Sequence, residues 1–180
     1  LFPATLLWPL LKPGIFSHHD DVQFIRLHQM DKCVRDYQIP CRWVPDLGGE
    51  YGYPLFNYYA PLPYYFGEVV YLISGNIIFS AKFMFATAFL GSYVFMFLLA
   101  ERLWGKRGAL VSSVFYSFVP YHAVNLYVRG AMGELWAMMF FPLIFLAFWR
   151  LSEKITLKRS VLAGVTIALL ITSHNISAMI

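Results

Sequence analysis

Four long apolar runs, separated by short polar segments, constrain this chain more than any other feature. They cover residues 77–100, 109–128, 131–149 and 161–180. A helix of about 20 apolar residues crosses the hydrocarbon core of a bilayer. Charged residues make up 13% of the chain, against about 25% in soluble domains. The sequence therefore predicts an all-α, polytopic transmembrane helix bundle, with residues 1–180 forming a single integral-membrane domain.

Neither end of the chain resembles a terminus. It begins at Leu1 and stops at Ile180 inside an apolar run, so we interpret it as a fragment of a longer protein. Residues 1–16 lack the basic start and cleavage site of a signal peptide. We interpret them as the end of a spanning helix that leaves the bilayer near Pro9 and Pro13-Gly14.

The basic residues predict the orientation. Seven Lys and Arg residues lie in two connections, at residues 101–108 and 150–160, whereas the connection between them carries Arg129 alone. Basic loops stay in the cytoplasm, so Arg129, Glu134 and His174 are predicted on the outer side. A net charge of +4 distributed in this way does not indicate nucleic-acid binding.

Residues 17–76 are predicted to form an outer loop with interfacial helices. A helix capped by Ser17, with Asp20 as the reciprocal partner of the cap, has Phe24, Leu27 and Val34 on one side and polar residues on the rest. Residues 54–74 are long enough to span, but their prolines and aromatic residues favour the interface. If this segment did span, the loop before it would be cytoplasmic.

Two cysteines, Cys33 and Cys41, are too few for a disulfide framework. They form either a bridge in an oxidising compartment or two unpaired thiols, and the sequence slightly favours unpaired thiols.

Ionisable residues on the predicted outer side suggest one cavity, bordered by Asp20, Asp21, Glu50, Arg129, Glu134 and His174. One of two adjacent carboxylates can accept a proton while the other holds a divalent cation such as Mg or Mn. The alternative for Asp20 and Asp21 is a helix start where acids complement the dipole. His18-His19 lacks the spacing of zinc enzymes, so no structural metal is predicted.

The remaining candidates each have two interpretations. Arg129, oriented by Glu134, binds phosphate, or the two form an exposed ion pair worth little. His174 lines the cavity or is a buried helix contact. The aromatic residues between Phe56 and Phe66 stack on sugar rings or anchor the chain at the interface.

Several motifs resemble a bacterial family of multi-pass proteins labelled "6-pyruvoyl-tetrahydropterin synthase-related" membrane proteins. These motifs are His19-Asp20-Asp21, Pro40-x-Arg42-Trp43-x-Pro45, Gly52-Tyr53-Pro54-Leu55-Phe56-x-Tyr58-Tyr59-x-Pro61-Leu62-x-Tyr64-Tyr65, Tyr116-x-x-x-Pro120-Tyr121, Asn125-Leu126-Tyr127-x-Arg129-Gly130-Ala131, Glu134 and Pro142-Leu143. The resemblance covers nearly the whole chain, and it is most specific from Pro40 to Tyr65.

By organisation that family is similar to GT-C glycosyltransferases, whose first outer loop carries an acidic motif near its start. The resemblance implies sugar transfer from a polyprenyl-phosphate donor to an envelope acceptor, on the extracytoplasmic face of the bacterial inner membrane. Asp20 or Asp21 would be the catalytic base. The implied substrate-binding residues are His19, Arg42, Tyr53, Tyr58, Tyr59, Arg129, Glu134 and His174.

Two other functions remain open. A transporter or flippase would carry polar residues along a path through the bilayer, and Lys82 is the main candidate. A non-catalytic envelope assembly protein would not need Asp20 or Asp21.

Overall fold

The structure, a computed structural model, describes residues 5–15 and 18–179. The described residues are helical, apart from turns and one isolated bridge between Val44 and Tyr53, which confirms the all-α prediction. The elements are a 3-10 helix (Trp8–Leu11), α1 (Gln23–Arg35), α2 (Leu55–Tyr58), α3 (Leu62–Ser74), α4 (Ile77–Phe118), α5 (Pro120–Ala123), a π-helix (Val124–Arg129), α6 (Met132–Glu153) and α7 (Leu157–Ser173).

Helix α4 reverses direction at Gly105. The φ of Gly105 is 68°, a left-handed value that glycine adopts without steric cost. The ring centroids of Phe89 and His122 lie 6.1 Å apart, although a straight helix would separate them by about 50 Å. Residues 77–104 and 106–118 are therefore two antiparallel arms, and a single glycine reverses the chain inside the predicted loop of residues 101–108.

The second arm does not run on as one regular helix, as the apolar window over 109–128 predicted. It ends at Phe118, and Pro120 starts the short α5, which passes into the π-helix. The last helix also differs from its predicted range of 161–180, because α7 starts four residues earlier and ends at Ser173. Thr156 accepts a hydrogen bond from the Arg159 N–H and so caps its start.

The helices alternate in direction and give the bundle two distinct ends. The first arm and α6 run the same way, since Phe95 contacts Phe140 and, further along both helices, Arg102 lies 4.0 Å from Glu153. We call the end with residues 102–107 and 150–159 the basic end. The opposite end, formed by residues 129–132, 173–176 and the N-terminal segment (residues 18–76), is the loop end.

Two helices, α4 and α6, are long and apolar enough to cross a membrane. Helix α3 has 13 residues, or about 20 Å, less than the ~30 Å hydrocarbon core. It lies along the start of α4, with the Phe66 and Phe83 rings stacked 6.0 Å apart. The segment predicted as interfacial thus packs on the bundle at the loop end.

Helix α1 differs from the predicted amphipathic surface helix. It begins at Gln23, and Ser17, its predicted cap, lies outside the described residues. Gln23, Gln29 and Asp31 are buried because α1 packs against α3 and α4, whose side chains and neighbouring loops provide polar partners. Of the predicted spanning end at residues 1–16, the described residues 5–15 include the 3-10 helix Trp8–Leu11.

Candidate functional site

Residues 18–21, which we call the acidic turn, are fastened to the loop end through the backbone. The N–H of His19 donates to the carbonyl of Val128 (2.8 Å), and the N–H of Asp20 donates to the carbonyl of Arg129 (2.9 Å). Carbonyls at a helix end lack partners within their own helix. The π-helix therefore holds the acidic turn in place through backbone atoms, independently of the side chains of the turn.

Gly130 makes this close approach feasible. Its φ of 66° is left-handed, and a Cβ there would lie 2.9 Å from the Cβ of His18 and 3.2 Å from the carbonyl oxygen of Asp20. Both the conformation and the space therefore require glycine. Its carbonyl accepts a hydrogen bond of 2.8 Å from the Gln23 side chain.

The Asp20 carboxylate is oriented by two donors. Its Oδ2 accepts hydrogen bonds from Gln23 Nε2 (2.9 Å) and Arg26 Nη1 (3.2 Å). The Gln23 amide is buried, and its Oε1 accepts from the Tyr64 hydroxyl at 2.5 Å. The Asp20 side chain nevertheless remains 35% exposed. It is thus a fixed carboxylate that solvent and ligands can reach.

Tyr59 belongs to the same cluster. The Arg26 guanidinium lies 4.0 Å from the centre of the Tyr59 ring, in a cation–π geometry. The neighbouring Tyr58 is exposed, and its carbonyl accepts a hydrogen bond of 2.9 Å from the Asn175 side chain. Of the two adjacent tyrosines, Tyr59 therefore adjoins the carboxylate.

Asp21 has a different environment from Asp20. Its Oδ1 accepts a hydrogen bond from the His18 N–H at 2.5 Å, and its side chain is 55% exposed. The His18 ring is buried and stacks on Phe85. Burial lowers the pKa of His18, although the nearby Asp21 opposes the shift. Asp21 thus closes the turn, while Asp20 faces Arg26.

Arg129 and Glu134 form a bidentate ion pair at the tip. Arg129 Nη1 and Nη2 lie 2.6 and 2.7 Å from the two Glu134 oxygens. Tyr121 donates to Glu134 at 2.6 Å, and Asn125 accepts from Arg129 at 2.7 Å. This four-residue network makes the pair stronger than an isolated surface bridge. Arg129 is already engaged with protein groups, so a phosphate would share it.

His174 lies beside this pair, just beyond the end of α7. Its ring packs against Gly133, and its Nδ1 is 2.7 Å from the Ser177 hydroxyl. Burial lowers the pKa of His174, while Glu134 acts in the opposite direction. The structure therefore brings His19, Asp20, Asp21, Tyr59, Arg129, Glu134 and His174 to one end of the bundle.

Arg42 and Tyr53 lie instead in the segment that follows a disulfide-bonded loop. Cys33 and Cys41 are bridged, so the expectation of two unpaired thiols is wrong. The two cysteines come close together because α1 ends between them and the chain after α1 folds back against the helix. The Arg42 N–H donates to the Gln38 side chain, and Tyr53 pairs with Val44.

A buried acid, Glu68, was not among the predicted site residues. It is 2% exposed, and its carboxylate oxygens have no hydrogen-bond partner among the described residues. Burial raises its pKa to about 7, and the adjacent Asp31 adds to this shift. The Asp31 carboxylate itself accepts a hydrogen bond of 2.7 Å from Arg35 Nε. A lone acid within an aromatic run gives no sequence signal of such burial.

The proposed cation is poorly matched by these residues. Among residues 5–15 and 18–179, no three His, Cys, Asp or Glu side chains are grouped to hold a metal. A cationic guanidinium already contacts Asp20, and the two carboxylates accept from different neighbours. Metal binding by Asp20 and Asp21 remains a prediction, and no step below depends on it.

Four residues of the cluster were missed as site residues: Gln23, Arg26, Tyr121 and Asn125. Two had a usable local signal, because Asn125 precedes Arg129 by four positions and Gln23 follows Asp20 by three. The contact of Gln23 with Gly130 spans 107 positions, so only the folded chain reveals it.

A family model described as "6-pyruvoyl-tetrahydropterin synthase related domain; membrane protein" matches residues 56–180. Comparisons with curated proteins and with solved structures gave no significant match. The family match begins at Phe56, so it covers the bundle and α3 but not the acidic turn.

Proposed function

This chain belongs to the 6-pyruvoyl-tetrahydropterin synthase related family of membrane proteins, and from that premise we propose that it is a GT-C-type membrane glycosyltransferase. It would move a sugar from a polyprenyl-phosphate donor to an envelope acceptor. The observation that carries the proposal is Asp20, an oriented yet accessible carboxylate at the loop end of an apolar bundle.

The chemistry needs a base where a lipid and a water-soluble acceptor meet. Asp20 takes the proton of the acceptor hydroxyl as its oxygen bonds to the sugar's anomeric carbon. The bond from that carbon to the phosphate oxygen breaks, and polyprenyl phosphate leaves with the electron pair. Gln23 and Arg26 hold the carboxylate in position, which reduces the ordering cost of the reaction.

Arg129 would contact the donor phosphate. A guanidinium has five N–H donors, and the four hydrogen bonds of Arg129 start from Nη1 and Nη2. Its side chain is 41% exposed. Glu134, Tyr121 and Asn125 orient Arg129. Its remaining N–H group can therefore bind a phosphate without a large rearrangement of the side chain.

Two observations support an outward-facing loop end. The basic end carries Arg102, Lys106, Arg107, Arg150, Lys154, Lys158 and Arg159, as cytoplasmic ends do. The N-terminal segment contains a disulfide, which persists in oxidising compartments. We accordingly propose that residues 77–104, 106–129, 132–153 and 157–173 cross the bacterial inner membrane, with the loop end outside.

The test uses the full-length protein in its native cells. Asp20→Asn and Asp21→Asn would be expressed separately, and envelope glycolipids would be profiled by mass spectrometry. We expect Asp20→Asn to lower the amount of product at least about 100-fold, which is the contribution of a general base. Asp21→Asn should lower it less. Asp36→Asn, an exposed acid after α1, is the matched control.

Normal products from Asp20→Asn at normal expression would rule out the enzyme. A transporter or a non-catalytic assembly protein would then be the better explanation. Labelling of single cysteines placed at Tyr51 and Ser152, both exposed, tests the orientation separately, since reaction of both from the same side of intact cells would contradict it.

A further inference from the structure

An open groove of about 460 Å³ runs along the start of α4. One wall is the segment around the 3-10 helix, and the other is a single face of α4. Its apolar lining consists of Leu10, Leu11, Ile78, Phe79, Phe83 and Ala86. Leu11, Phe79 and Phe83 are all exposed, so a hydrophobic surface remains open where an apolar helix begins.

Two lysines line the same groove. Lys82 Nζ donates a hydrogen bond of 2.6 Å to the backbone carbonyl of Lys12. That contact brings the Lys82 ammonium to the segment that carries the second positive charge. An apolar groove is thus bordered by two cationic side chains, a combination that suits an amphipathic anion.

Neither lysine is neutralised within the described part of the chain. Three other bases of the N-terminal segment have carboxylate partners: Arg26 with Asp20, Lys32 with Asp46 and Arg35 with Asp31. No ion pair of residues 5–15 or 18–179 includes Lys12 or Lys82. The rest of the chain contains no Asp or Glu. The positive charges of these two lysines are therefore available to an external anion.

We propose that this groove binds an anionic phospholipid. The phosphate lies between the Lys12 and Lys82 ammonium groups, and an acyl chain lies along Leu11, Phe79 and Phe83. Lysines at the end of an apolar helix reach the headgroup level of a bilayer with their charged ends. A phosphate there gains about 1 kcal/mol per base.

The composition of the groove favours a lipid over a soluble phosphate. A soluble anion would leave the exposed phenylalanines unused, whereas an acyl chain covers them and gains hydrophobic free energy. On its far side, Lys82 also lines a small cavity with His18. The lipid would thus border the acidic turn, although the proposal does not depend on sugar transfer.

The test measures lipid preference in the full-length protein. The protein is reconstituted in nanodiscs of phosphatidylcholine mixed with phosphatidylglycerol, and the lipids retained after release are counted by native mass spectrometry. We expect wild type to retain phosphatidylglycerol preferentially, and Lys82→Gln to lose about fivefold of that preference. Lys32→Gln, which removes a lysine already paired with Asp46, is the matched control and should behave as wild type.

Two further variants separate binding from folding. Lys82→Arg keeps the charge and should keep the preference. Lys12→Gln changes an exposed residue outside the bundle, so its loss of preference would support the site even if Lys82→Gln failed to fold. An unchanged preference in Lys12→Gln and a folded Lys82→Gln would overturn the proposal. So would displacement of the lipid by soluble glycerol phosphate at equal concentration.

Discussion

The two ends of the bundle use charge in opposite ways. At the loop end, the Arg129–Glu134 pair is bidentate at 2.6 and 2.7 Å and is joined by Tyr121 and Asn125. At the basic end, Glu153 lies 4.0 Å from Arg102 and 3.7 Å from Arg159.

The difference between the ends lies in how their charges are paired. Charges at the basic end are exposed and loosely paired, so they are worth little to stability and suit an orienting role. Those at the loop end belong to shared networks with half-buried groups, which fix individual side chains. A site that needs fixed geometry is therefore expected at the loop end, and four variants test this contrast.

The largest effect is expected for Gln23→Leu. This change leaves the Tyr64 hydroxyl and the Gly130 carbonyl without their buried partner, which costs about 3 kcal/mol. Denaturant unfolding of the detergent-purified protein, followed by tryptophan fluorescence, measures the loss. A loss below about 1 kcal/mol would mean that water replaces the amide and that the loop end is less tightly built than we describe.

The next largest effect on stability is expected for removal of the disulfide. Removing it with Cys33→Ala and Cys41→Ala frees a loop of 8 positions, which by chain entropy costs about 2.5 kcal/mol. The same unfolding assay applies, and a reductant provides the control. The reductant should destabilise wild type by a similar amount and leave the double variant unchanged; an equal response in both would contradict the bridge.

Glu68→Gln tests whether a buried acid at the loop end makes the stability of the protein depend on pH. Glu68 faces Asp31 on α1, with Arg35 and Tyr71 nearby. Its pKa is about 7 in the folded protein, against an ordinary value of 4.5 when the side chain is in water. The folded state therefore binds the proton more tightly. Stability is therefore complete below about pH 4.5 and falls as the pH rises towards 7.

A pKa rise from 4.5 to about 7 corresponds to about 3 kcal/mol at full strength. After a reduction for solvent screening, we expect Glu68→Gln to remove this decline, gaining about 2 kcal/mol at pH 8 and almost nothing at pH 4. Melting temperatures across that range measure the effect. A gain that is the same at every pH would show that the effect comes from packing and not from the proton.

The smallest effect is expected at the basic end. Arg102→Gln weakens a 4.0 Å pair between half-exposed side chains, and we expect a change of at most about 0.5 kcal/mol. The same unfolding assay applies. A loss as large as that of Gln23→Leu would erase the contrast between the two ends.

The sequence predicted the bundle better than it predicted the site. Apolar runs indicate helices because lipid forces backbone groups into them, and each of the four predicted windows overlaps a helix. Their boundaries shifted where a single residue decides the path, as at Gly105 and Pro120. Such local reversals do not change the average hydrophobicity of a window.

The site combined local and distant information. The acid pair and its Gln23 partner lie within one helical turn of each other, so their association was within reach of the sequence. The docking of Asp20 on Arg129, by contrast, joins residues more than a hundred positions apart through backbone atoms. No side-chain pattern encodes a backbone contact. The pairing of Cys33 with Cys41 likewise depended on the path of the chain after α1.

The two backbone hydrogen bonds from the acidic turn to Val128 and Arg129 have a mechanical consequence. They couple the carboxylate of Asp20 to the tip of the arm that starts at Gly105. Helices in a bilayer tilt when its thickness changes. If this arm crosses the bilayer as we propose, its tilt would carry Asp20 with it, and the position of that carboxylate would follow the thickness of the surrounding bilayer.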